Sequence, residues 1–146
     1  MIAIRKADPQ DCAAAAALAL RLWPDAALSE LEESFADLLR DTDAAVFLAV
    51  QGETPIGFAQ CQLRRDYVEG TESSPVGYLE GIYVTEAFRK HGIARRLLQA
   101  CEAWAKDMGC SEFASDCEIT NEESLGFHLK TGFLEAARII CFTKRL

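Results

Sequence analysis

Residues 78–104 read Tyr78-Leu79-Glu80-Gly81-Ile82-Tyr83-Val84, Thr85-Glu86-Ala87-Phe88, Arg89-Lys90-His91-Gly92-Ile93-Ala94, then Arg95-Arg96-Leu97-Leu98-Gln99-Ala100-Cys101-Glu102-Ala103-Trp104. The opening run is β-branched and aromatic, the composition of a buried strand. Apolar residues at 93, 97, 100, 101 and 104 mark one face of a helix. Between them lies a basic turn containing glycine. A strand that feeds a helix through such a turn presents free backbone N–H groups and the positive end of a helix dipole, which suits phosphate. Glu80 is a lone carboxylate inside the apolar run.

Working outward, residues 2–5 form a short strand. Asp8-Pro9-Gln10-Asp11 starts a helix, with Asp8 as cap and Pro9 in the first position. That helix runs to about residue 22 and stops at Trp23-Pro24. Ser29-Glu30-Leu31-Glu32 reads as a capping box opening a second helix. Strands follow at 44–50 and 55–64, then a polar loop at 65–75, a length often tied to function. After the central unit come a strand at 112–116, a helix at 121–130 closed by Thr131-Gly132, and strands at 133–135 and 138–144. The order β-α-α-β-β-β-α-β-α-β-β joins a meander to crossover helices. The fold class is therefore α/β or α+β with a mixed sheet.

The chain has 146 residues, half of them apolar, and a net charge of −8. One domain over residues 1–146 suits that length. The acidic balance argues against a general nucleic-acid binder, which needs excess Lys and Arg. It favours a cationic partner, or serves solubility alone. The cysteines at 12, 61, 101, 110, 117 and 141 form no C-x-x-C pair, and His91 and His128 lack finger spacing, so no metal site is expected. Cys61 and Cys101 fall on apolar faces. Reduced thiols and a cytoplasmic location follow. The apolar run 13–20 is too short to span a bilayer, so no membrane association is expected.

The motifs Arg89-Lys90-His91-Gly92-Ile93-Ala94, Asn121 with Ser124, and Gly132-Phe133 resemble, in order and spacing, those of the GCN5-related N-acetyltransferase superfamily. The strings 74–84, 113–117 and 140–144 further resemble the aminoglycoside 6′-N-acetyltransferases. The resemblance implies an acetyltransferase fold with a mixed, mostly antiparallel central sheet flanked by helices. It implies acetyl-coenzyme A as the acetyl donor, an aminoglycoside as the amine and a homodimer.

It also distributes roles. Backbone amides of Arg89, Lys90, His91, Gly92, Ile93 and Ala94 would hold the pyrophosphate, with charge from Arg89, Lys90 and Arg95. Ile82, Tyr83 and Val84 would pair with the pantetheine arm and supply an oxyanion donor, and Asn121 would bond the pantetheine amide. Asn121 is also a natural helix cap. Glu80 would bind the ammonium and accept its proton; the alternative is an acid on an exposed strand face. Asp116 would share that mouth, with Trp23 and Tyr67 stacking on the sugar. Trp23 reads equally well as a core anchor. Glu135 falls where related enzymes place acids. His128 stands seven residues after Asn121, where many members have a tyrosine acid. It is a candidate proton donor or a structural histidine.

Overall fold

A computed structural model describes residues 1–146. The elements are β1 Ile2–Lys6, α1 Cys12–Leu22, α2 Leu28–Leu38, β2 Ala44–Gln51, β3 Thr54–Arg64, β4 Val76–Val84, α3 Ile93–Asp107, β5 Phe113–Ser115 and α4 Glu122–Lys130. The strands lie in chain order in one sheet. β1 to β4 pair antiparallel and β5 joins β4 in parallel, which is the expected mixed, mostly antiparallel sheet.

Two layers of helix bury the two faces of the sheet. On one face α3 sets Ile93, Leu97, Leu98 and Cys101 against Ala59, Cys61, Leu79 and Val84. On the other, α1 and α2 bring Ala15, Ala16, Leu18, Ala19 and Phe35 onto Val46, Leu48, Val50 and Phe58. Alternation along β3 sends Phe58 to one layer and Ala59 to the other. β2 is covered on both faces, so it reads as an unbroken apolar run.

Asp8 starts the first helical segment as expected. Its carboxylate accepts from Gln10 N at 2.8 Å, while Asp11 accepts from Asp8 N at 2.9 Å. That reciprocal pair caps a single 3₁₀ turn, Pro9–Asp11, which runs on into α1. The Ser29 capping box does not form. α2 begins at Leu28 with Ala27 at its cap and no side-chain bond there. The chain leaving Pro24 enters the helix two residues early, so Ser29 lies inside it.

The strands expected at 133–135 and 138–144 are also absent: residues 133–146 adopt no regular element. Phe133 still packs on the core, but from Leu134 onward the apolar side chains remain in solvent, with Leu134 91%, Ile140 80% and Phe142 87% exposed. A strand needs a neighbouring edge to bond to, and this segment lies on none within the chain.

β4 carries an irregularity that shapes the site. Gln60 pairs with Gly81 and Cys61 pairs with Leu79, so Glu80 has no partner on β3. Leu79 and Ile82 both face α3. The extra residue between them turns Glu80 and Gly81 together toward the α1 side. The Trp23 indole lies over Gly81: a Cβ built there would meet Cη2 at 2.7 Å and Cζ2 at 2.8 Å. Gly81→Ala is therefore expected to displace Trp23 and destabilise the fold by about 1–3 kcal/mol, the usual range for overpacking. A thermal melt overlapping the parent's would contradict this.

Candidate active site

The bulge aims Glu80 at Arg64 of β3. Arg64 Nη2 donates to Glu80 Oε1 at 2.8 Å and to Oε2 at 3.0 Å, and Nε donates to Oε2 at 3.1 Å. The Arg64 guanidinium carbon sits 3.4 Å from the centroid of the Tyr78 ring. The Tyr78 hydroxyl donates a short hydrogen bond to Asp116 Oδ2. Burial, and then this bond to Asp116, push the Tyr78 phenol well above its usual range, so it stays protonated. The two acids singled out by sequence, Glu80 and Asp116, thus meet through Arg64 and Tyr78. Neither linking residue was picked out from sequence. The available signal was period 2: Gln62 and Arg64 share a face on β3, and Tyr78 lies on the neighbouring strand.

Trp23 serves as the expected core anchor, edge-on to Phe58 at 6.2 Å between centroids, and still borders the mouth at Gly81. A cleft of about 410 Å³ opens beside it, lined in part by Ser34, Asp37, Asp41 and Gln60. Its two carboxylates add to the local negative field. Tyr67 stands apart, 78% exposed, with its hydroxyl donating to Glu69 at 3.1 Å. Glu135 is ion-paired with Arg138 on the exposed C-terminal segment. Neither makes a contact with Glu80 or Asp116.

The 65–75 loop is tied down by an acid that sequence reading passed over. Glu112 Oε1 accepts from Glu72 N at 2.9 Å and Ser73 N at 2.8 Å, and from the Ser73 hydroxyl. The Ser73 hydroxyl, then the loop amides, hold the Glu112 carboxyl below its usual range.

The basic turn has the geometry of an anion nest. Lys90 at φ 66° and Gly92 at φ 76° are both left-handed, which curls successive amides to one side. The first backbone bond of α3 runs from Arg96 N to Gly92 O at 3.1 Å, leaving the preceding helical amides free. A Cβ on Gly92 would meet no atom within 4 Å, so the space before the turn is open. Arg89 Nε donates to Val84 O at 2.7 Å and its guanidinium stacks 5.3 Å from Tyr83. Arg95 donates to Lys130 O at 3.1 Å. Lys90 and His91 are exposed beside the turn.

β5 pairs with β4 only across Gly77, Tyr78 and Leu79. Beyond that, the second edge of β4 through Ile82, Tyr83 and Val84 has no strand beside it. Open backbone bonding groups next to an anion nest fit an extended amide-bearing chain that ends in a pyrophosphate. Asn121 caps α4 by accepting from Ser124 N at 3.1 Å. His128 lies on the same helix. Its Nδ1 is 2.7 Å from Ser124 O, which can only accept, so Nδ1 carries the proton. Its Nε2 accepts from Ser115 Oγ at 2.8 Å. Ser115 pairs with Leu79, the last register before β4 and β5 part.

Residues 12–133 match the Acetyltransferase (GNAT) family. The chain belongs to that family. It is 49% identical over 143 residues to an aminoglycoside N(6′)-acetyltransferase type 1 of Stenotrophomonas maltophilia, covering 95% of this chain and 90% of that protein. Among solved structures it is similar to AAC(6′)-Iy in complex with the bisubstrate analog CoA-S-monomethyl-acetylneamine. The TM-score is 0.95 and the identity 35%, over 100% of this chain and 99% of that one. It is similar also to the aminoglycoside 6′-N-acetyltransferase AAC(6′)-Ih of Acinetobacter baumannii, with TM-score 0.92, identity 35%, and the same shares covered. As a GNAT member the chain is an acetyl-coenzyme A-dependent acyltransferase, and the nest and open strand edge are in keeping with that co-substrate.

Proposed function

We propose that the chain is an aminoglycoside 6′-N-acetyltransferase that confers antibiotic resistance. The observation that carries this reading is the pairing of two acids, Glu80 and Asp116, in one acidic mouth beside an open strand edge and an anion nest. An aminoglycoside is a polycation, and two carboxylates at one opening suit it better than a neutral amine.

Acetyl-coenzyme A supplies an acetyl thioester. The amides of residues 89–94 hold its pyrophosphate, with Lys90, Arg89 and Arg95 adding charge. The open edge of Ile82, Tyr83 and Val84 pairs with the pantetheine arm, and Asn121 bonds its amide. A β4 amide near Ile82 or Tyr83 stabilises charge developing on the acetyl oxygen. Glu80 holds the drug's 6′-ammonium, takes one proton and leaves the amine free to attack. Trp23, Tyr67, Asp116 and Glu135 contact the rest of the drug. The carbon–nitrogen bond forms, the nitrogen gives up its second proton to solvent, the carbon–sulfur bond breaks, and the departing thiolate takes up a proton. His128 delivers that proton through the Ser115 hydroxyl from its doubly protonated form, in which Nε2 donates to Ser115 Oγ, and is left with the proton on Nδ1. A kcat unchanged in His128→Phe would remove it from this role.

Transfer is direct, within a ternary complex. Cys61 and Cys101 are fully buried. The neighbouring Cys61 thiol, then burial, hold the Cys101 thiol well above its usual range, so it is no nucleophile. Comparing kcat/KM for kanamycin-type drugs, polyamines and peptides tests the substrate class. Polyamines or peptides outpacing the drugs would overturn it.

We further infer one functional domain over residues 1–146, acting in the cytoplasm as a homodimer. The exposed apolar tail supports the dimer, since Leu134, Ile139, Ile140 and Phe142 have nothing to cover them within the chain. The three-residue β5 lies at the sheet edge, where a tail from a second copy can add a strand. Light scattering at micromolar concentration is expected to give twice the chain mass, and deletion of residues 134–146 to give the monomer. A monomeric full chain would end this inference.

A further inference from the structure

Arg64 is a cation inside a mouth that is proposed to receive cations. We propose that Arg64 is a resident counter-ion, displaced from Glu80 by the drug's ammonium, and that it thereby sets how tightly the amine is held. The inference rests on the substrate class proposed above.

The guanidinium fork engages both oxygens of Glu80, at 2.8 Å on Oε1 and 3.0 Å on Oε2. An incoming ammonium therefore meets a carboxylate already paired, with a like charge alongside. It must share Glu80 or remove Arg64, and the exposure of the two side chains decides between these. The Arg64 side chain is 40% exposed and that of Glu80 is 18%. Arg64, the more exposed partner, can turn its fork off Glu80 while staying over Tyr78, whereas Glu80 is held in the bulge of β4. The Tyr78 face stacks on the guanidinium independently of Glu80, and cation–π contact keeps the arginine at the site after its ion pair opens.

The arrangement also explains why a cationic residue is present at all. Without substrate, a partly buried carboxylate with no partner is costly. Arg64 satisfies Glu80 in the empty enzyme and competes with the drug in the loaded one. Tyr78 does the corresponding work for Asp116, but as a neutral donor it offers no like-charge repulsion.

Two variants and one titration test this. Arg64→Met keeps the stem over Tyr78 and removes the charge. Arg64→Lys keeps a point charge without the fork. Calorimetric titration with a kanamycin-type drug is expected to give a Kd about fivefold tighter for Arg64→Met, the size of a partly exposed ion pair. Arg64→Lys should fall between Arg64→Met and the parent, and salt should weaken drug binding more steeply in Arg64→Met. The coenzyme A Kd should not change. If Arg64 merely oriented Glu80, both variants would bind the drug equally or more weakly, and that result overturns the proposal. Should Arg64→Met not fold, Arg64→Lys decides alone: a Kd below the parent's supports displacement, and one equal or above refutes it. A parent enzyme that neither binds nor acetylates aminoglycosides would overturn the substrate assignment itself. A parent that turns them over, with variant Kd values unimproved, overturns only the role of Arg64.

Discussion

Glu80→Gln is expected to lower kcat/KM for an aminoglycoside by about 10²–10³-fold, within the range for loss of a general base. The amide is isosteric and its carbonyl oxygen still accepts from Arg64, so the bulge and the mouth persist. What disappears is a negative charge for the 6′-ammonium and a site for its proton. The first loss raises KM and the second lowers kcat, so both should move. The stability cost should stay below about 1 kcal/mol, because the Glu80–Arg64 pair is partly solvated. The proposed coenzyme A contacts are the turn before α3 and the open edge of β4 rather than the Glu80 side chain, so its Kd should be unaffected. Steady-state kinetics with both substrates varied, together with a coenzyme A titration, check each part. A kcat within about threefold of the parent would remove Glu80 as the base, a general base being worth far more.

The second large effect is expected at the turn. Gly92→Val should weaken coenzyme A binding about a hundredfold, as expected for losing charge-assisted amide bonds to phosphate. Gly92 has φ 76° and nothing within 4 Å of its Cβ position. A Cβ there meets no protein atom within 4 Å, and the valine side chain instead extends into the space that phosphate must enter. Its left-handed backbone costs a branched residue about 1–2 kcal/mol, a modest fall in thermal stability. Binding should therefore suffer far more than folding. Drug affinity measured without coenzyme A should be unchanged, since the acids lie on the α1 side of β4.

These expectations rest on features of unequal visibility in the sequence. The strand–turn–helix at 76–107 was legible because each part is local: apolar period, basic glycine turn and helical stripe lie within one stretch. Asn121 was legible for the same reason, as its cap bond to Ser124 spans three residues. The link from Glu80 to Asp116 was not. It depends on the β4 bulge, and a single inserted residue in one strand leaves no mark in an alternation pattern that already contains glycine. Arg64 alternates with the apolar Leu63 and Cys61 along β3, and only the register with β4 sets it against Glu80. Glu112 was missed because its partners, Glu72 and Ser73, lie about forty residues away across the fold. At the C-terminus, residues 138–144 have the β-branched and aromatic composition of a strand, yet composition cannot supply the edge that a strand needs. Ser29 shows the converse limit. A sound capping sequence was overridden by the path of the chain leaving Pro24.

The reaction itself is tested most directly by free-thiol release from acetyl-coenzyme A with a matched pair of aminoglycosides, one with a 6′-amine and one with a 6′-hydroxyl. Acetyl transfer from the thioester to a 6′-amine deprotonated by Glu80 predicts rapid thiol release with the first and none above background with the second. Equal rates with the two drugs would contradict acetylation at the 6′-nitrogen.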